Sequence, residues 1–370
     1  MTRRQDNQFV PDYASLPGET LLEVIESRGM TQAELAERTG RSKKHINEMI
    51  KGKQPILPET ALQLERVLGI SAAFWNNRQR EYGEALARAS ERRRLSRHVG
   101  WARHFPYSDM ARLGWVKDTR DWVERLSSLL NFFGVAGVRE WEERWSLVRA
   151  DFRKSKAFKS NRYAVAAWLR AGERAAQAVA TSPYSETQFR SALGTVRALT
   201  GQAPGVFQPQ MESLCAKAGV AVAFVPELSG THTYGATQWL TPDKALVQLS
   251  LRGKTDDHLW FAFFHEAGHI LKHGKRDVFI EATGQLKTVD AREAEADRFA
   301  CDHLIPPTRY APFVARGSFS AEAIRAFARS TGVAPGIVVG RLQHDDKIPH
   351  SHHQNLRRRL RWAQSESPAA

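Results

Sequence analysis

Cysteine is nearly missing from this chain of 370 residues: there are two, Cys215 and Cys301, far apart in sequence. Two such residues build neither a disulfide framework nor a cysteine-rich zinc site, and their scarcity fits a reducing cytosol. Also missing is any apolar run long enough to span a bilayer. The opening MTRRQDNQFV has no apolar core of the kind a secretory signal carries. These absences exclude disulfide-scaffold and membrane-spanning classes, and the expectation is a cytoplasmic protein with no membrane partner. Acidic residues are in short supply too, with 40 Asp and Glu against 54 Lys and Arg, a formal charge of +14. The deficit is uneven. Residues 1–100, 101–200 and 301–370 are net basic, and only 201–300, with 12 acids against 10 bases, is net acidic. A basic balance favours nucleic acid through phosphate contacts, although many basic proteins are merely soluble.

What is present is apolar material, 42% of the chain, in a length that exceeds one ordinary core. The punctuation predicts three regions, at 1–88, 89–200 and 201–370. From residue 18 to about 88 five short helices are expected. In TQAELAERTG, Thr31 is an N-cap, Glu34 completes a capping box and Gly40 closes the helix. After a brief turn, SKKHINEMIKG runs from Ser42 to Gly52. A helix, a three-residue turn and a second, basic helix are helix-turn-helix grammar. Leu35, Ala36, Ile46 and Ile50 fit the buried side. Lys43, Lys44, Asn47 and Lys51 then fall on or beside the exposed side, where lysine reaches phosphates or guanine edges and asparagine reads adenine. Gln32, at the start of the preceding helix, suits a phosphate. The implied partner is a double-stranded DNA operator, read by a homodimer as two-fold sites usually are.

Residues 89–200 read as amphipathic helices rich in arginine and tryptophan, without a chemical motif. After Gly201 the texture changes: AVAFVPEL (221–228) and ALVQLSL (245–251) read as strands, and helices are expected near 256–273, 289–304 and 319–331. The histidine- and arginine-rich tail reads as a frayed, solvated basic end.

The chemistry is concentrated in FFHEAGHILKH (263–273). Positions i and i+4 of a helix share a face, so His265 and His269 can direct both imidazoles at one ion. Glu266 lies close enough to that face for general-base work. Thr255, Asp256 and Asp257 suit the start of this helix and Gly274 its end. A hydrolytic zinc site needs three protein ligands and an open position. His273 and His258 lie about two turns from one ligand or the other, too far to share the ion. In VDAREAEADRFACDHLIP, Glu293 and Asp297 share a face, so one can bind metal while the other hydrogen-bonds a ligating histidine. Glu295 points about 200° away from Glu293. ALVQLSL is a candidate edge strand for pairing with an extended substrate. His232 and Tyr234, in THTYGATQWL, are candidates to steady an oxyanion. Cys301 reads as core.

HEAGHILKH, with EAEADRFACDHLIP after it, resembles the ImmA/IrrE-type zinc metallopeptidases, whose pattern is a HExxH helix and a later E-x-E-A-[ND]-x-F-A helix. The resemblance spans most of residues 201–310. It implies a Zn2+ cofactor, His265, His269 and Glu293 as ligands and Glu266 as general base. Asp297 stands where asparagine is often found, which still suits a hydrogen bond to a ligand. GMTQAELAERTGRSKKHINEMIKGK resembles the XRE-type repressor domain, and LPETALQLERVLGISAAFWNN its HigA-like antitoxin form. The expected fold class is α+β and predominantly helical: a helix-turn-helix bundle, a helical middle and a gluzincin-like domain with a small sheet. The implied function is a DNA-binding regulator of antitoxin type carrying a zinc endopeptidase that cuts a protein partner, a repressor or antitoxin. The alternative is a non-catalytic antitoxin-repressor that binds operator and toxin, with its zinc site structural or sensory.

Overall fold

The computed structural model describes residues 15–145, 161–274, 279–282 and 291–363. The opening decapeptide, part of the expected helical middle and the last seven residues lie outside them. The chain divides into two compact units, with the division between Val99 and Gly100.

In the first unit, α1 (Pro17–Ser27), α2 (Gln32–Thr39), α3 (Lys43–Ile50), α4 (Pro58–Leu68) and α5 (Ala72–Ser96) enclose one core. The expected caps form: Thr31 Oγ1 accepts from the Glu34 amide and Ser42 Oγ from the His45 amide. Gly40 ends α2 in the left-handed conformation, with φ of 67°. Leu21, Ile25, Leu35, Ile46, Leu64 and Trp75 fill the centre. Gly18 permits the close seat of α1 on α3, because a Cβ there would stand 2.3 Å from the carbonyl oxygens of Met49 and Ile50. The fifth helix is not short. It runs 25 residues, past position 88, and among its residues only Ala72, Trp75 and Leu95 are buried.

A single turn at Val99–Ala102 (α6) leads into the second unit, followed by α7 (Tyr107–Arg112), α8 (Trp122–Phe133), α9 (Val138–Arg144) and α10 (Arg162–Gln177). Their aromatic residues pack on one another, with Trp141 in ring contact with Trp101, Phe105, Phe133 and Tyr163. This helical layer is tied directly to the sheet region. Trp168 of α10 donates its indole N–H to the Val225 carbonyl, and its own carbonyl accepts from Gln248 Nε2 at 2.7 Å. α11 (Glu186–Ala198) and α12 (Pro204–Lys217) then lead into a four-stranded sheet.

The strands β1 (Val220–Phe224), β2 (Thr233–Thr241), β3 (Lys244–Leu249) and β4 (Phe279–Ala282) lie in the order β1-β3-β2-β4. β3 runs parallel to β1 and antiparallel to β2, which pairs antiparallel with β4. ALVQLSL is therefore interior, not an edge, and its ladder groups are already used on both sides. THTYGATQWL, which is not among the strands expected from the sequence, is mostly β2.

Below the sheet lies α13 (Asp256–Lys272), its side chains from Leu259 to Ile270 buried except Phe261. A helix apolar on nearly every side is a central helix, and α14 (Ala291–Leu304) and α17 (Pro335–His344) flank it, with α15 (Pro307–Ala315) and α16 (Ala321–Thr331) completing the unit. The tail up to residue 360 is not frayed. Arg357 pairs with Asp257 at 2.9 Å, the Arg358 amide donates to Asp256 Oδ1, and Leu360 is buried. Its basic charge is thus spent partly on the acids at the start of α13. No helix among the described residues is long and apolar enough to cross a membrane.

Candidate metal centre

α13 and α14 pack antiparallel, with Phe264 against His303, His265 against Asp297 and His269 against Glu293. Gly268 allows their close approach: a Cβ there would stand 3.2 Å from Ala296 Cα. Across this seam His265, His269 and Glu293 come together, their ligand atoms all within 4.8 Å of one another. His265 Nε2 is 2.9 Å from His269 Nε2 and 3.2 Å from Glu293 Oε2, and His269 Nε2 is 3.6 Å from Glu293 Oε1.

The donor set fits a cation. Asp297 Oδ1 stands 2.9 Å from His265 Nδ1, and a carboxylate only accepts, so His265 carries its proton on Nδ1 and points a lone pair inward from Nε2. Glu293 adds carboxylate oxygens to the same gap. Burial resists the ionisation of Glu293, but the imidazoles of His265 and His269 facing its carboxylate outweigh it and bring its pKa down to about 2. Burial pushes the proton affinity of His269 below the usual imidazole range, against the pull of Glu293, so the ring stays neutral as a ligand must. Tetrahedral zinc ligands with bonds of about 2.0–2.1 Å stand roughly 3.3 Å apart, close to the three separations found.

Glu266, fully buried, is held by the sheet. Thr237 Oγ1 donates to Glu266 Oε2 at 2.7 Å, and Gly235, on the same strand, leaves space that a Cβ would take, 2.8 Å from both Glu266 Cγ and Oε1. Neither residue stands out in the sequence, because β2 itself does not. His273 and Glu295 are likewise outside the set that spacing points to. His273 is indeed not a member of the ligand cluster, but its Nδ1 lies 2.9 Å from Nδ1 of His269, and Glu295 Oε2 lies 3.5 Å from His273 Nε2. Each imidazole of the cluster thus has a partner behind it, which fixes ring orientation.

Other expected residues lie elsewhere. Tyr234 stacks on His258 near the start of α13, with ring centroids 5.8 Å apart, about two turns from His265. His232 precedes β2 with φ of 52°. Neither belongs to the ligand cluster. Thr255 precedes α13 without a capping bond and meets the His258 ring instead. Cys301 is half-buried, and burial pushes its thiol up to about 11, which suits core rather than nucleophile.

In the first unit, Lys43, Lys44 and Lys51 are exposed along α3 and its end, as a phosphate-facing helix requires. Gln32 and Asn47 meet across the turn, Asn47 Nδ2 donating to Gln32 Oε1 at 3.3 Å. Both side chains are half-buried there and fix the angle between α2 and α3.

Two family models match the chain. Residues 21–75 match the helix-turn-helix family and residues 217–343 the IrrE N-terminal-like domain of the M78 peptidases. No curated protein matches. Among solved structures the chain is similar to a protein described as an antidote of a plasmid maintenance system from Nostoc punctiforme, at 26% identity over 22% of this chain and 91% of that one, with a TM-score of 0.22. It is also similar to an addiction module antidote protein of the HigA family from Coxiella burnetii, at 25% identity over 23% of this chain and 92% of that one, with a TM-score of 0.21. The chain joins an XRE-type helix-turn-helix domain at its N-terminus to an IrrE N-terminal-like domain of the M78 metallopeptidase type toward its C-terminus.

Proposed function

We propose that the chain is a cytoplasmic, DNA-binding transcriptional regulator of antitoxin type whose second unit is a zinc-dependent endopeptidase acting on a protein partner, a repressor or antitoxin. The observation that carries this reading is the convergence of His265, His269 and Glu293 on one point, with Glu266 next to His265 in the helix and its carboxylate held by Thr237. When bound, zinc supplies an acidified water and a Lewis acid for the scissile carbonyl. In this reading Glu266 takes a proton and returns it to the leaving amine, and Thr237, donating to its carboxylate, keeps it aimed. Asp297 and His273 hold the two imidazoles in their ligating orientation. On the DNA side, Lys43, Lys44 and Lys51 contact the operator, with Gln32 and Asn47 setting the pose of α3. A homodimer reading a two-fold site follows the usual docking of helix-turn-helix regulators on paired half-sites.

One observation favours the rival reading, an antitoxin-repressor in which zinc is structural or sensory and the partner is a toxin. His265 and His269 are each 2% exposed and Glu266 not at all, so a substrate must open the site to reach it. Glu266→Gln separates the two. The peptidase retains zinc and operator binding but no longer cuts its partner, whereas the pure binder is unchanged in every assay. Equal partner processing by the wild type and Glu266→Gln rejects the peptidase.

A further inference from the structure

The seam that brings His265, His269 and Glu293 together continues beyond them. Along α13, His269, His265 and Phe261 follow at four-residue intervals, and along α14 Glu293, Asp297 and Cys301 do the same, so each set lies on one face. The helices pair His269 with Glu293 and His265 with Asp297. At the next level there is a cavity of about 390 Å3, lined by Phe261 and Cys301, with Tyr234, Leu304, Ile305 and Ile337 forming much of the wall. It adjoins the metal centre through Phe261, whose ring centroid is 6.1 Å from that of His265.

The acid and the arginines around this space are already in ion pairs. Asp257 meets Arg357 at 2.9 Å, and Arg341 meets Asp345 at 2.7 Å. A charged group entering the cavity sheds its water only to face ions that are already paired, whereas an apolar group gains by leaving water. One helical turn, about 5.4 Å, separates the level of His265 from that of Phe261. A chain held at the metal centre therefore brings a neighbouring side chain to this space.

We infer that this cavity receives a large apolar side chain, of leucine, methionine or phenylalanine size, next to the bond cut in the protein partner. The inference rests on the peptidase proposed above and names the residue class that it selects. The volume lies near the low end of the range of about 300–1,000 Å3 usual for small-molecule sites, which suits one side chain rather than a folded segment. Phe261 and Cys301, the lining residues next to the metal centre in the seam, are the ones that set the selection.

The test titrates hydroxamates, which chelate zinc, into the zinc-loaded full-length protein and reads affinity by calorimetry, so that it needs no turnover. Acetohydroxamate carries no side chain. 4-Methylpentanohydroxamate and 3-phenylpropanohydroxamate add an apolar one, and succinic monohydroxamate and 6-aminohexanohydroxamate a charged one. The apolar pair binds about ten- to a hundredfold more tightly than acetohydroxamate, the worth of burying one leucine- or phenylalanine-sized side chain, and the charged pair gains nothing. Cys301→Trp, which fills the cavity, removes the apolar gain, taken as the ratio to acetohydroxamate in the same variant with its circular dichroism unchanged. Should that variant not fold, Phe261→Ala, which widens the cavity, lowers the gain of the isobutyl compound more than that of the phenyl one. A crystal structure with 3-phenylpropanohydroxamate places the ring against Phe261 and Ile337. The inference is overturned if the apolar hydroxamates bind no better than acetohydroxamate, if their gain survives Cys301→Trp, or if the ring lies outside the cavity. If Glu266→Gln leaves partner processing unchanged while the apolar gain holds, the peptidase reading fails and the selectivity of the cavity stands.

Discussion

Asp297 gives the sharpest lever on the proposed metal centre because it touches His265, a proposed ligand, from outside the cluster. Its Oδ1 is 2.9 Å from His265 Nδ1, so removing it in Asp297→Ala frees the imidazole to rotate and weakens its lone pair. Loss of such a partner ordinarily costs about ten- to hundredfold in metal affinity. The Asp297 side chain is 50% exposed, so water screens its charge and replaces part of the bond. The low end applies: roughly tenfold, or about 1.4 kcal/mol. Asp297→Asn keeps an accepting oxygen but loses the charge. A neutral hydrogen bond is about half as strong as a charge-assisted one, which leaves a deficit of about threefold. The assay is zinc competition against a chromophoric chelator, on full-length protein whose helical content is checked by circular dichroism. The expected order of affinity is wild type, then Asn, then Ala. An alanine variant that binds zinc as tightly as the wild type, or an asparagine variant no better than alanine, refutes the reasoning.

The geometry sets three further outcomes. His273→Ala removes the ring behind His269 and lowers zinc affinity by about tenfold in the same competition, with Glu295→Gln giving a smaller loss. Gly235→Ala places a methyl group against Glu266, so partner cleavage falls by about a hundredfold or more while bound zinc stays at one equivalent, as measured by elemental analysis. Asp256 reports on stability. Burial pushes its carboxyl from the ordinary value of 3.8 up to about 6, partly offset by hydrogen bonds from the Arg358 and Asp257 amides. The folded state therefore holds this proton more tightly than the unfolded state, and the associated stability is lost as pH rises from about 4 to 6. Asp256→Asn should raise stability by roughly 1–3 kcal/mol at pH 7 and by little at pH 4, read by denaturant titration at both.

Much of this was legible in the sequence because it rests on local rules. The caps Thr31 and Ser42, the stop at Gly40 and the buried stripe Leu35, Ala36, Ile46 and Ile50 are set within a few residues, and together they spell out the helix-turn-helix. The i, i+4 spacing of His265 and His269 is equally local. Glu293 was harder: from spacing alone it could not be told from Asp297 as ligand, and only the packing of α14 along α13 separates them. β2 escaped detection because its glycine, threonines and glutamine answer to neighbours on both sides rather than to an alternating pattern. With it went Thr237 and Gly235. Treating ALVQLSL as an edge had the same origin, since the flanking partners of a strand are long-range facts. The basic tail looks like a solvated end in sequence because composition carries no record of the partners its charges meet. Asp256 and Asp257, about a hundred residues earlier, are what Arg357 and the Arg358 amide meet. Spacing alone puts His273 too far away to share an ion, and only the fold shows its ring behind His269.

The most direct measurement is anomalous diffraction at the zinc edge from crystals of the full-length protein grown with zinc. The account predicts one strong peak between α13 and α14, within about 2.0–2.2 Å of His265 Nε2, His269 Nε2 and a Glu293 oxygen. A zinc peak elsewhere, or Glu293 turned away from both imidazoles with no acid in its place, would contradict it.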